Sequence, residues 1–127
     1  MNFILIYICL ITCYSKNAYA DQNPEEFSEI TAGNCSEAKD SDMVYHEVVT
    51  RANIPFISRN VTSTWYGDSR LFCVKIVNEY YRQNGKGGGT VILKQGGVGH
   101  FFVVLEMHSE TGGPLSFLIF LYGKKPQ

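Results

Sequence analysis

The sequence predicts an all-β fold, a small antiparallel β-sandwich or barrel-like domain of about six to seven strands. Three observations carry that reading. Two strongly apolar runs, Phe101 to His108 and Leu115 to Tyr122, can be read at the two-residue period of strands. Shorter β-prone segments recur from Met43 onward, separated by Gly, Pro, Asn and Asp. No segment shows a helical period, and nothing repeats at a fixed spacing.

In chain order, the opening is expected to stand outside that fold. Phe3 to Cys13 is apolar, polar Tyr14 to Asn17 follows, and Ala18-Tyr19-Ala20 is a small-x-small cleavage pattern. Residues 1–20 therefore read as a secretory signal peptide, although no Lys or Arg precedes the apolar run. The run is shorter than the roughly 20 apolar residues that a bilayer crossing needs. No later segment is longer, so no membrane span is expected in the mature chain, which is read as secreted and extracellular.

Residues 21–41 are expected to form an extended, poorly ordered acidic arm, and residues 42–127 a single β domain. From Asp21 to Glu47 eight acids face one base, Lys39, whereas from Val48 onward four acids face nine bases. The bases are scattered along the sequence, so direct nucleic-acid binding is not expected.

Removing the leader takes away Cys9 and Cys13 and leaves Cys35 and Cys73. In an oxidising compartment that pair reads as one disulfide, and two cysteines are too few for a structural zinc. Two glycosylation sequons remain, Asn60-Val61-Thr62 and Asn34-Cys35-Ser36; the first is the better acceptor, because Cys35 is engaged in its bond.

The domain begins with a strand over Met43 to Thr50, punctuated by Asn53 and Pro55, and Phe56 to Trp65 supplies one or two half-exposed strands. In Leu71 to Tyr81, Phe72, Val74 and Ile76 are expected to face inward. Cys73 and Lys75 then point outward, so that the bridge straps the arm across the outside of the sheet. Asn84 to Gly89 reads as the most flexible link, and Thr90 to Gln95 as a short strand. The two apolar runs are expected to form a β-hairpin turned by Ser109 to Pro114, its second strand central and covered on both faces. Phe102, Val104, Leu118, Phe120 and Tyr122 share the second face, for which a covering second sheet is expected.

Little in the sequence points to catalysis. Gly96-Gly97-Val98-Gly99 leads into a strand, whereas phosphate loops rely on a helix N-terminus, and no Gly-Lys-Ser/Thr is present. His46, His100 and His108 show no metal-ligand spacing, and no Gly-x-Ser-x-Gly elbow occurs. No catalytic, cofactor-binding or metal-ligating residue is therefore assigned, and no cofactor is expected.

Several motifs together are more specific. Asn84-Gly85-Lys86-Gly87-Gly88, Gly96-Gly97-Val98-Gly99, a turn containing Ser109, Ser116-Phe117 and Phe120-Leu121-Tyr122-Gly123-Lys124 follow one another at set spacing. In that order they resemble the multiprotein bridging factor 2 family, over roughly residues 71–125. Gln83 departs from the family's Thr, and Glu110-Thr111 from its Gln-Arg, which removes a base from the turn. The resemblance implies two roles and no catalytic residues. One is a nuclear co-activator that bridges a sequence-specific factor to the general transcription machinery; the other is a small secreted insect protein of saliva, venom or haemolymph. The leader, sequons and cysteine pair favour the second: a non-enzymatic binding or effector protein whose sheet meets a protein partner or extracellular ligand. A small hydrolase would require acids and a histidine to converge in a pocket.

Overall fold

The computed structural model describes residues 28–126; the expected signal peptide and the start of the acidic arm lie outside them. Seven strands form: β1 (Glu29–Gly33), β2 (Met43–Arg51), β3 (Asn60–Tyr66), β4 (Arg70–Asn78), β5 (Thr90–Gly96), β6 (Phe102–His108) and β7 (Leu115–Lys124). They make two sheets, one ordered β1-β4-β7-β2 and the other β3-β6-β5, with every pair antiparallel. The fold is the all-β sandwich that the alternation predicts.

The two apolar runs, however, do not pair with each other as a hairpin. β6 is the central strand of the smaller sheet and β7 the central strand of the larger. Val103, Leu105 and Met107 from β6 join Leu115, Phe117, Ile119 and Leu121 from β7 in one buried core. Each strand has one fully apolar face, and placing those faces in opposite layers removes both from water. The link 109–114 therefore crosses between sheets, and the true hairpin is β5–β6, joined through the Gly96–Gly99 turn.

Leu71, Val74 and Ile76 from β4 and Val49 from β2 complete the core, with Trp65, Val61 and Val91 packed at its margin. A register shift between Leu71 and Cys73 turns both Leu71 and Val74 inward and sends Phe72 outward, contrary to the simple alternation. Cys73 then pairs with Tyr122 and faces outward, as expected.

Two elements depart from the sequence reading. From Glu29 the acidic stretch forms the edge strand of the larger sheet, with Glu29 opposite Val77 and Gly33 opposite Cys73. All five β1 residues are exposed, so no apolar face announces the strand; its backbone pairing and the nearby disulfide hold it. The second departure is a six-residue helix, α1 (Glu79–Asn84), where a strand and loop were expected. The Asn78 side chain accepts from the Tyr81 N–H at 3.0 Å, and Gly85 closes the far end in the left-handed conformation. After it, Gly88 and Gly89 are buried rather than forming a loose link.

Candidate functional surface

The cysteine pair forms. Cys35 is bonded to Cys73 with their Cα atoms 5.0 Å apart, tying the chain after β1 to the outside of β4. Asn34 and Asn60 are both exposed. Asn34 follows β1, its N–H donating to the Phe72 carbonyl at 2.9 Å. Asn60 opens β3 beside His108, the pair joined at 2.5 Å between Oδ1 and Nδ1.

At the bridged end a cleft of about 440 Å³ opens between Asn34, Glu37, Phe72 and the close of β7. Three cations line it: Arg70, Lys124 and Lys125. Arg70 and Lys124 are separated by most of the domain's sequence but directly opposed in the β4–β7 register. Each lies against an aromatic ring, Lys124 Nζ 5.7 Å from Phe72 and the Arg70 guanidinium 5.4 Å from Phe101. Lys125 is paired with Asp68 at 3.6 Å, while no described carboxylate pairs with Arg70 or Lys124. The cleft thus joins an apolar wall to two unneutralised cations, a combination suited to an organic anion. Sequence reasoning missed this cluster because scattered bases converge only once the strand pairing is known.

The second-face residues separate into two groups. Leu118, Phe120 and Tyr122 lie half-buried on the outer side of the larger sheet, with no third layer over them among the described residues. His46 stacks on Phe120 at 4.8 Å, Lys75 Nζ lies 5.9 Å from the centre of the same ring, and Val48 beside them is 56% exposed. Phe102 and Val104 lie on the outer side of the smaller sheet, where Tyr66 stacks on Phe102 at 5.5 Å.

A polar row crosses that smaller sheet. Glu106 contacts Lys94 Nζ at 3.0 Å through one carboxylate oxygen and His108 Nε2 at 2.9 Å through the other. The Lys94 bond, followed by that from His108, holds the Glu106 carboxyl below its usual range. This is the one place where a histidine meets an acid in the described residues' hydrogen-bond pattern, and it is an open strand face with every partner already engaged.

The sequence family described as Transcription activator MBF2 matches residues 33–123. The chain belongs to that family. The match begins at the last residue of β1 and ends within β7, so the MBF2 region takes in both cysteines, both sequons and the core strands β2 to β6. Neither a curated protein nor a solved structure matches the chain. The motif order that resembled the family now has a structural meaning: its glycine-rich segments are the end of α1 with the link before β5 and the turn between β5 and β6, and its closing Phe-Leu-Tyr-Gly-Lys ends the central strand on which the cleft is built.

Proposed function

We propose that this MBF2-family protein works outside the cell as a non-enzymatic binding protein, holding an anionic ligand in the cleft beside the disulfide. The observation that carries the reading is the bridged edge itself. The Cys35–Cys73 bond ties the segment that carries Asn34 and Glu37 beside Phe72, Arg70 and Lys124, so the same cross-link that suits an oxidising compartment also holds residues that line the cleft. The apolar-led leader and the two exposed sequons support secretion, with Asn60 as the favoured glycan acceptor and Asn34 a second one at the cleft mouth. The Glu106–His108 contact supports a structural role over catalysis, since both carboxylate oxygens are committed and no described cleft surrounds them.

The intact mass of protein recovered from the medium of expressing cells tests the compartment. A chain beginning at Asp21, two protons lighter than its reduced form and shortened in mass by glycan removal, is the expected result. Titration of that protein with 8-anilinonaphthalene-1-sulfonate, an aromatic anion, tests the cleft: native protein saturates, and the Arg70→Gln, Lys124→Gln pair binds at least tenfold more weakly. The second reading, a nuclear co-activator bridging transcription factors, is favoured by the family's description. A full-length, reduced, unglycosylated chain retained in the cell would sink secretion and favour that reading.

A further inference from the structure

The segment between β2 and β3 ends in a turn of four consecutive apolar residues, Ile54-Pro55-Phe56-Ile57. The Ile57 N–H donates to the Ile54 carbonyl at 3.1 Å, and Pro55 precedes a residue of positive φ, the pattern of a type II turn. That position ordinarily takes Gly or Asn. Here it holds Phe56, at φ 68°, the one non-glycine residue of positive φ among those described. The ring is 92% exposed, and Ile54 and Ile57 beside it are 39% and 50% exposed. A conformation unfavourable to a side chain is thus occupied by a large apolar one that rests on nothing in its own fold. Folding accounts for neither property, and strain of this kind concentrates where a surface has work to do.

We infer that this turn is a membrane-docking tip that inserts Phe56 into the interface of an anionic lipid bilayer. Three features favour lipid over a protein pocket. The apolar surface is a convex tip of four residues, whereas a stable protein interface takes about 20–30 residues a side. The base of the tip also leaves few free backbone groups: Pro55 has no N–H, Ile57 N–H is bonded within the turn, and the Ile57 carbonyl accepts from Gly112 at 3.0 Å. Charge supplies the third. Arg51 and Arg59 flank the turn, their guanidinium groups bonded only to the Thr50 and Ala52 carbonyls, and neither pairs with a described carboxylate. Lys86 adds a third base at the adjoining hollow, against the single acid Glu110. An apolar point ringed by excess positive charge matches the two attractions of a peripheral membrane anchor. The inference is independent of the cleft, which lies among a different set of residues.

The test is co-sedimentation of the disulfide-bonded protein with phosphatidylcholine vesicles, with and without one-third phosphatidylserine. Native protein is expected to sediment with the anionic vesicles and to be released by salt. Phe56→Gly is the informative variant because glycine relieves the backbone conformation: its melting temperature should not fall, yet binding should weaken roughly ten- to a hundredfold. Arg51→Gln with Arg59→Gln should weaken it by about tenfold or more. A Phe56→Trp protein, excited beside lipids brominated on their acyl chains, should be quenched. Native protein that stays in solution with anionic vesicles overturns the inference and assigns the tip to a protein pocket. Binding that survives Phe56→Gly unchanged overturns it as well.

Discussion

Ser63 on β3 donates a hydrogen bond to the Glu47 carboxylate on β2, joining the two sheets by side chains along the edge where they face each other. The Tyr45 hydroxyl donates to the same oxygen at 3.2 Å. Tyr45 and Glu47 lie opposite Leu121 and Ile119, which are core residues, so this polar group borders the apolar interior. Ser63→Ala would leave a half-buried carboxylate short of a donor and should cost about 1–3 kcal/mol in urea denaturation. Burial first, then the neighbouring Glu47 charge and hydrogen bond, pushes the Tyr45 hydroxyl above its ordinary value of 10.0. A raised acid keeps its contribution below the unfolded pKa and loses it as pH rises further. Native protein should therefore lose stability above about pH 10 more steeply than Tyr45→Phe, and parallel curves would remove Tyr45 from the account.

Glu106 carries the opposite sign. Its carboxyl is held below its ordinary value of 4.5, first by Lys94 and then by His108. A depressed carboxyl contributes above its unfolded pKa and loses that contribution as pH falls through the folded value. The group is half-exposed on an open strand face, where solvent screens it, so the effect is a matter of direction. Glu106→Gln should melt below native protein at pH 7 in low salt, with the gap closing below pH 4.5 and in high salt. A gap that persists at pH 3 would show that the glutamate's shape, and not its charge, matters.

Those contacts mark the limit of what the sequence discloses. The alternation of Val103, Leu105 and Met107 with half-exposed neighbours, and of Phe117, Ile119 and Leu121 likewise, shows in the sequence which side chains share a face. It does not say which strands pair, because a hairpin and a sheet-to-sheet crossing bury the same residues. β1 escapes notice because an edge strand held by its backbone needs no apolar residue, and α1 because six residues are too few to display a period. Arg70 and Lys124 look unrelated until the register sets them opposite each other. The Cys35–Cys73 bond, by contrast, follows from counting the two cysteines that remain once residues 1–20 are read as a leader.

Within the glycine-rich link, two glycines should respond differently to substitution. Gly88 is buried at φ +89°, and a β-carbon there would lie 2.3 Å from Asn78 Oδ1. Asn78 is fully buried, caps α1 and donates to the Gly87 carbonyl at 3.3 Å, so it has no room to yield. Gly85 is also left-handed, at φ +75°, but a β-carbon there would meet nothing within 4 Å. Gly85→Ala should cost about 1–2 kcal/mol, the conformational penalty alone. Gly88→Ala should cost about 2–4 kcal/mol, since the helix cap is lost as well. Equal urea midpoints for the two variants would mean that the link relaxes around Asn78.

The bridge makes the last and largest prediction. Cys73 is fully buried beneath the bond, which closes a sequence separation of 38 residues. In the chain-entropy account a loop of that size is worth about 4 kcal/mol, and removing a native bridge from a small domain costs about 2–5 kcal/mol. For a domain of total stability about 5–15 kcal/mol, Cys35→Ala with Cys73→Ala should lower the urea midpoint substantially. The loss should also be local. β1 is wholly exposed and is attached to the sheet only through β4, with the bridge just beyond its Gly33 end. Without the bond, hydrogen exchange at the β1 amides should speed up well before that of β6 and β7, whose core side chains are untouched. Uniform acceleration across all strands would instead mean that the bridge acts only on the unfolded chain, and that β1 stays in place by pairing alone.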